Sequence, residues 1–409
     1  MGLLRRPGPD SLWRNRDFNL LWGGQALSSL GSSMADLAFP LLVLALTGSP
    51  VTAGWVGTIV LAVQVVVSLP SGVLVDRVNR RRLMMGCDVV RMVAFGVLAV
   101  ALVTGRGGVA LVLVVAVIDA LCETPFFNAA MAAVRNLVPP AQVSPAVARN
   151  EARQYAVTLV GPPLGGAAFG LGHAVPFAAN AVSFTLSLGG LLLIKRPMQE
   201  PASVEPSSPL RELGEGIRYA VTHPFVRAAM LIAAPLNVAI NGVLFGVVLI
   251  LQEHGTAPAL IGTAATIFGV GGLVGALFAS TLMRRFTVTT LIRGICVAGV
   301  PLFLAVLPLS SSPLATVPVA LLALLAPALN ASLFGHLAKV VPDRLQGRVI
   351  SALLTSAMAL TALAPLAVGL LVHSYGALGM VLGTTAAMAI SAAVAVTSKG
   401  IREIEPEPN

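Results

Sequence analysis

From Ala53 to Val75 the chain is almost wholly apolar, and from Leu83 to Val103 it is apolar again except for Asp88 and Arg91. The residues between read Asp76-Arg77-Val78-Asn79-Arg80-Arg81-Arg82. Each apolar run is long enough for a helix to cross a hydrocarbon layer of about 30 Å, and a short basic loop between two such runs is a membrane turn. Backbone groups in hydrocarbon must find partners within their own segment, so the runs read as helices. With 56% hydrophobic and 11% charged residues, the chain lacks the charged surface a soluble protein needs.

Apolar runs bounded by charges, Gly or Pro number twelve. Six cover roughly Phe18 to Leu46, Gly54 to Val75, Leu83 to Val103, Val109 to Val134, Ala146 to Gly172 and Val175 to Ile194. Six more cover roughly Val226 to Leu251, Leu260 to Met283, Leu291 to Leu307, Ala315 to Val340, Val349 to Val372 and Leu378 to Val396. The expected organisation is an all-α membrane protein: a six-helix bundle over residues 1–196, a linker over 197–224, and a second six-helix bundle over 225–409. Pro197, Pro201, Pro206 and Pro209 punctuate the linker, which reads either as a solvated connection or as a short amphipathic helix carrying Leu210, Leu213, Ile217 and Val221 on one face.

A formal charge of +9 invites a nucleic-acid reading, but the placement of the charges refutes it. Of the 26 Lys and Arg, 24 fall in or beside alternate connections, from Arg5 and Arg6 through Arg77 to Arg82, Arg135, Arg149 and Arg153, to Lys399 and Arg402. That alternation predicts cytoplasmic termini and a multi-pass protein of the cytoplasmic (inner) membrane, its anionic neighbour being the lipid leaflet. Cys87, Cys122 and Cys296 sit in apolar runs without metal-ligand spacing, and no removable signal peptide is evident. None of the three lysines stands in a phosphate-binding loop, and no hydrolase or metal constellation is assembled. The expectation is a protein that is not an enzyme and needs no cofactor.

An internal repeat supports the division into two sixes. Pro139 precedes Pro162 by 23 residues, Pro342 precedes Pro365 by the same 23, and Gly166 and Gly369 share the offset between the pairs. Each half thus places one proline after its fourth run and another within its fifth, as parallel transporter repeats do.

The stretch Gly72-Val73-Leu74-Val75-Asp76-Arg77-Val78-Asn79-Arg80-Arg81-Arg82 resembles the loop motif between the second and third helices of the major facilitator superfamily. Asn79 replaces the motif's second Gly, and Asn tolerates the positive φ of a tight turn. Gly161-Pro162-Pro163-Leu164-Gly165-Gly166 is similar to the antiporter motif of the same superfamily. Val341-Pro342-Asp343-Arg344-Leu345-Gln346-Gly347-Arg348 resembles the loop entering the eleventh helix in the branch of macrolide efflux proteins and enterobactin exporters. The resemblance implies a twelve-helix fold in two pseudo-symmetric halves, with the first, fourth, seventh and tenth helices lining a cavity. It also implies a conformational latch of Gly72, Asp76 and Arg77, with Asp76 paired to Arg135 and facing Gly347. Arg80 to Arg82 are expected to serve orientation alone.

Acids inside the spans give the sharper clue. Asp36, Asp119 and Glu123 lie well within apolar runs, where an ionisable group is costly and becomes a functional candidate. Asp36 is ten residues short of Leu46 and Asp119 ten past Val109, so each lies about 15 Å from the end of its span. Glu123 falls one turn from Asp119 on the same face. Burial and mutual repulsion disfavour their charged forms, which would let them exchange protons. Packing of the acids by interhelical hydrogen bonds is the competing reading. Asp88 and Arg91, three apart, are expected to pair locally. By resemblance, Asn237, Asn241 and Asn330 are candidate cavity residues. The expected function is proton-coupled efflux of amphipathic drugs or natural products by a monomer embedded in the lipid bilayer. The alternatives are a siderophore or metabolite exporter, an uptake system, or a non-transporting sensor or scaffold with the same fold.

Overall fold

A computed structural model describes residues 12–199 and 209–402, and every regular element among them is helical. The terminal Arg5 and Arg6 and the linker's Pro201 and Pro206 lie outside the described residues. The first half contributes α1 (Arg16–Thr47), α2 (Pro50–Arg77), α3 (Arg80–Val103), α4 (Val109–Leu137), α5 (Val143–Leu171) and α6 (Val175–Leu193). After α7 (Pro209–Thr222) come α8 (Pro224–Glu253), α9 (Pro258–Arg285) and α10 (Val288–Leu304). The chain ends through α11 (Val317–Ala323), α12 (Ala326–Val340), α13 (Asp343–Thr361), α14 (Ala364–Thr397) and α15 (Lys399–Arg402).

Nine segments among the described residues are long and apolar enough to cross a membrane. The last of them, Leu345–Thr397, runs for 53 residues but turns at Gly376, whose φ of +59° only glycine adopts without strain. A Cβ on Gly379 or Gly383 would strike Leu371, so the chain folds back on itself there and the segment holds two crossings. Together with α5, whose first turns are charged, and α10, only 17 residues long, this accounts for the twelve runs.

The described helices form two compact units, one joining residues 12–39 to 66–199, the other joining residues 40–65 to 209–402. Inside the first, Phe39, Phe95, Phe177 and Phe184 interlock with ring centroids 5.3 to 6.3 Å apart. A second cluster gathers Leu21, Val75, Met84, Phe126, Leu137, Leu191 and Ile194 near the arginine-rich end. In hydrocarbon such packing holds helices by van der Waals contact, since lipid tails are as apolar as the side chains.

At that end the arginines do more than set orientation, contrary to the expectation for Arg80 to Arg82. Arg81 donates from Nε to the Leu191 carbonyl (3.0 Å) and from its terminal nitrogen to Leu192 (2.8 Å), capping the last turn of α6. Arg80 donates to the carbonyls of Ala132 and Met198 and to Asn136. Arg196 donates to the Leu137 carbonyl at the end of α4, and Asp17 accepts from the Arg196 amide. Asn79 corrects a second expectation: its φ is −59°, and its side chain accepts from the Arg82 amide (3.1 Å). It is an N-cap for α3, which Gly could not be by side chain.

In the second unit α8 packs on α14, where Gly242 and Gly246 lie against Thr384, Val368 and Met380. Gly271 and Gly275 of α9 meet the carbonyls of Ala320 and Leu324, where the tenth run breaks between α11 and α12. The eleventh run breaks likewise between α13 and α14. Pro327 and Pro365 occupy the first turn after each break, where a missing N–H costs nothing. Thr58 of α2 accepts from the Leu366 amide (3.1 Å), satisfying one donor that the second break exposes. The repeated prolines are therefore not equivalent: Pro162 stays inside an unbroken α5, whereas Pro365 starts a new helix. On α7, Ile217 and Val221 are exposed, Ala220 is buried, and the Tyr219 hydroxyl donates to the Val340 carbonyl.

Candidate functional site

Helix α1 carries Ser28-Ser29-Leu30-Gly31-Ser32-Ser33-Met34-Ala35-Asp36, a polar stretch on an otherwise apolar span. It is held close to α5 at the antiporter-like motif: a Cβ on Gly161 would collide with Ser33, and one on Gly165 with the Met34 backbone. No larger residue fits at either crossing, which explains two glycines of that motif by contact. The motif's Pro162 and Gly166 are buried beside them. Gly31 in turn lies against Asn180 and Ser183 of α6.

The centre of the polar stretch is a buried ion pair. Arg91 of α3 donates from Nε to Asp119 Oδ1 of α4 at 2.6 Å and from a terminal nitrogen to Ser32 Oγ at 3.0 Å. Its guanidinium lies over the Phe184 ring at 4.2 Å. Arg91, Asp119 and Ser32 are 3%, 5% and 7% exposed, so the pair is removed from solvent and short, as a charge-assisted bond should be. This corrects the local pairing expected of Asp88 and Arg91: the guanidinium points across to α4. Asp88 is fully buried, and neither carboxyl oxygen closes a hydrogen bond of normal geometry, although Ser187 of α6 approaches it.

Asp36 is exposed, while its neighbours Ala35 and Leu37 are buried. It lies within Coulombic reach of Glu123, Asp119 and Arg91. Glu123 is half-buried and also within reach of Arg91. The structure thus brings the three acids singled out in the sequence to one place and adds Asp88. Four carboxyl groups lie within Coulombic reach of one guanidinium, which pairs by contact with only one of them, Asp119.

Outside this cluster, Asp76 meets Arg80 at 3.6 Å, while Arg135, its expected partner, is exposed and makes no ion pair among the described residues. Arg77 is exposed as well, and a Cβ on Gly72 or Gly347 would meet open space. In the second unit Asn237 and Asn241 lie one turn apart on α8, each donating back to a backbone carbonyl of the preceding turn, Ala233 and Asn237 respectively. Asn330 is exposed on α12. That unit's candidate residues are neutral amides, against the acids and arginine of the first. Arg91, Ser32 and Phe184 were not legible as site residues in the sequence; only the packing of α3 and α6 onto α1 and α4 assembles them.

The family model described as transmembrane secretion effector matches residues 9–407. No curated protein matches the chain. Among solved structures, a bacterial homologue of the human lysosomal transporter Spinster, inward-facing and unoccupied, aligns at a TM-score of 0.72 with 14% identity, over 98% of this chain and 100% of that one. A bacterial homologue of the iron transporter ferroportin, in an inward-facing state, aligns at 0.73 with 16% identity, over 94% and 98%. A bacterial metal transporter aligns at 0.62 with 17% identity, over 94% and 98%. At these identities the likeness is one of fold. Matched over almost its whole length, the chain belongs to the transmembrane secretion effector family and is a multi-pass membrane transporter of the major facilitator type.

Proposed function

We propose that the protein is a proton-coupled exporter of amphipathic drugs or natural products, exchanging protons for cargo by alternating access. The observation that carries this reading is the surplus of carboxyl groups around Arg91: Asp36, Asp88, Asp119 and Glu123 share one buried guanidinium. Such a cluster holds protons when empty and releases them when a cationic or polar cargo, or an opened solvent path, changes its balance. Asp36, exposed and adjacent, is the group through which protons enter. Asp119 is released from Arg91 when a second carboxyl competes for the guanidinium. The neutral amides of Asn237, Asn241 and Asn330 serve as cargo contacts.

Asp76 and Arg77 act as the conformational latch, Asp76 exchanging its Arg80 partner for another in the alternate state. Residues 1–196 and 225–409 are the two moving bodies, with 197–224 as their tether. The monomer sits in the cytoplasmic membrane with both termini inside, as the distribution of basic residues supports.

Ethidium accumulation in cells expressing the wild type or Asp36→Asn, with and without a protonophore, tests the reading. Lower dye content in wild-type cells, abolished by the protonophore and by the substitution, is expected. A wild type that neither lowers dye content nor responds to the gradient overturns it. Asp76→Asn is expected to reach the membrane normally and transport poorly.

A further inference from the structure

Two arginines reach α1 from different helices. Arg91 of α3 binds Ser32, and Arg153 of α5 donates to Ser29 Oγ at 3.1 Å, one turn away on the same helix. Their surroundings differ in one respect. Arg91 is neutralised by Asp119, but Arg153, only 6% exposed, has no ion pair among the described residues, and its Nε–H is buried without an acceptor. The nearest acid in sequence, Glu151, lies within Coulombic reach of Arg153 but is exposed and closes no ion pair with it.

A second buried polar atom beside Arg153 is also unpaired. Asn150, 3% exposed, uses its amide nitrogen on the Met131 sulfur, and its Oδ1 is buried and unpaired. Ser29 and Met131, both half-buried, border this pair. Arg153 stands ten residues into α5, about 15 Å from its start, so it is no part of the loop charge that sets orientation. Arg149, one turn earlier, is by contrast satisfied: it stacks on Trp22 at 4.3 Å and donates to Asn19.

A buried guanidinium with no contacting counter-charge is expensive, and the cost is recovered when an anion arrives. We infer that Arg153, Asn150 and Ser29 form a subsite for an oxyanion, a carboxylate or phenolate borne by the transported molecule. Arg153 supplies the charge and the free Nε–H, and Asn150 accepts from a hydroxyl beside it. That this oxyanion is borne by cargo rests on the proposed function; the subsite itself does not. The implied cargo is therefore amphipathic with an acidic group, its cationic or polar part facing the carboxyl cluster. A phospholipid headgroup presents the same oxyanion chemistry and is the other possible source.

Thermal unfolding of the purified full-length protein in a neutral detergent distinguishes these outcomes, using salicylate, its uncharged analogue 2-hydroxybenzyl alcohol, inorganic phosphate, and phosphatidylglycerol in mixed micelles. Salicylate is expected to raise the wild-type Tm by several degrees and the alcohol to leave it unchanged. Arg153→Gln should abolish the rise while keeping a ligand-free Tm at or above that of the wild type. Arg153→Lys, which keeps the charge but loses the planar fork, should need roughly tenfold more salicylate for the same shift. An Arg153-dependent rise with phosphatidylglycerol alone upholds the oxyanion subsite and assigns its occupant to lipid. The inference is overturned if Arg153→Gln responds to every anion as the wild type does, or if the lysine variant's midpoint is unchanged. Ethidium carries no oxyanion, so a failure here leaves the efflux test of Asp36 standing, and the reverse holds too.

Discussion

Arg91 has three partners of different chemistry, a carboxylate at 2.6 Å, a hydroxyl at 3.0 Å and an aromatic face at 4.2 Å. Breaking a buried pair costs up to about 3–5 kcal/mol, and although Asp88 and Glu123 remain within Coulombic reach of Arg91, neither makes the 2.6 Å contact that Asp119 makes. Asp119→Asn is therefore expected to lower the Tm of the purified protein strongly, while Arg91→Gln combined with Asp119→Asn regains a large part of the loss. A double-mutant cycle in which the two effects simply add would show the pair to be uncoupled. Asp36→Asn, at an exposed position, should leave stability within about 0.5 kcal/mol, so its effect on transport is separable from folding. Single acids inside apolar runs stand out in a sequence, and Asp36, Asp119 and Glu123 were found that way. Their counter-ion was not, because a sequence offers Arg91 only its own neighbour Asp88, three residues away. The choice between Asp88 and Asp119 is made by the rotation of α3 against α4. Arg153 was hidden for a related reason: counted with the basic connections, it looked like a topology signal until burial showed otherwise.

Between elements, the closest approaches are made where glycine leaves room. A Cβ on Gly165 would come within 2.6 Å of the Met34 carbonyl oxygen and 2.7 Å of its Cα, on the turn of α1 that leads to Asp36. Gly165→Ala is expected to force α5 away from α1, destabilising the protein by about 1–3 kcal/mol and lowering transport, as read by Tm and dye efflux together. Gly72→Ala is the control, since its Cβ meets nothing, and it should leave the Tm unchanged. If Gly72→Ala were the more destabilising of the two, contact geometry would not explain the motif's glycines. Helix ends give a second case. Arg81 caps the α6 carbonyls of Leu191 and Leu192, and Arg293 of α10 donates to the Ala395 carbonyl near the end of α14, the same device in both halves. Arg81→Gln should cost about 1.5–3 kcal/mol, as expected for hydrogen bonds made by a charged group, seen as a lower Tm at equal membrane insertion. The basic loop was plain in the sequence as an orientation signal; its capping role depends on where α6 ends, which no local pattern reveals.

Across the whole chain, hydropathy was the most legible signal, because twelve apolar runs are imposed by the thickness of the bilayer and not by any particular contact. The breaks were less legible. Pro162, Pro327 and Pro365 look alike in sequence, yet only the last two begin new helices. What separates them is whether neighbours satisfy the freed backbone groups, as Thr58 does for Leu366. The reversal within Leu345–Thr397 carries the most weight, since the parity of the crossings hangs on it. As one straight helix those 53 residues would reach about 80 Å, far more than a bilayer of about 30 Å can cover. With a turn at Gly376 they cross twice, and Tyr375, 70% exposed, marks the tip. A reporter that works only outside the cytoplasm, inserted after Tyr375, should then be active, and the same reporter fused after Arg402 silent. Activity on the same side at both positions would make the number of crossings odd. The two termini would then lie on opposite faces of the membrane, and the alternation of basic connections would need another cause.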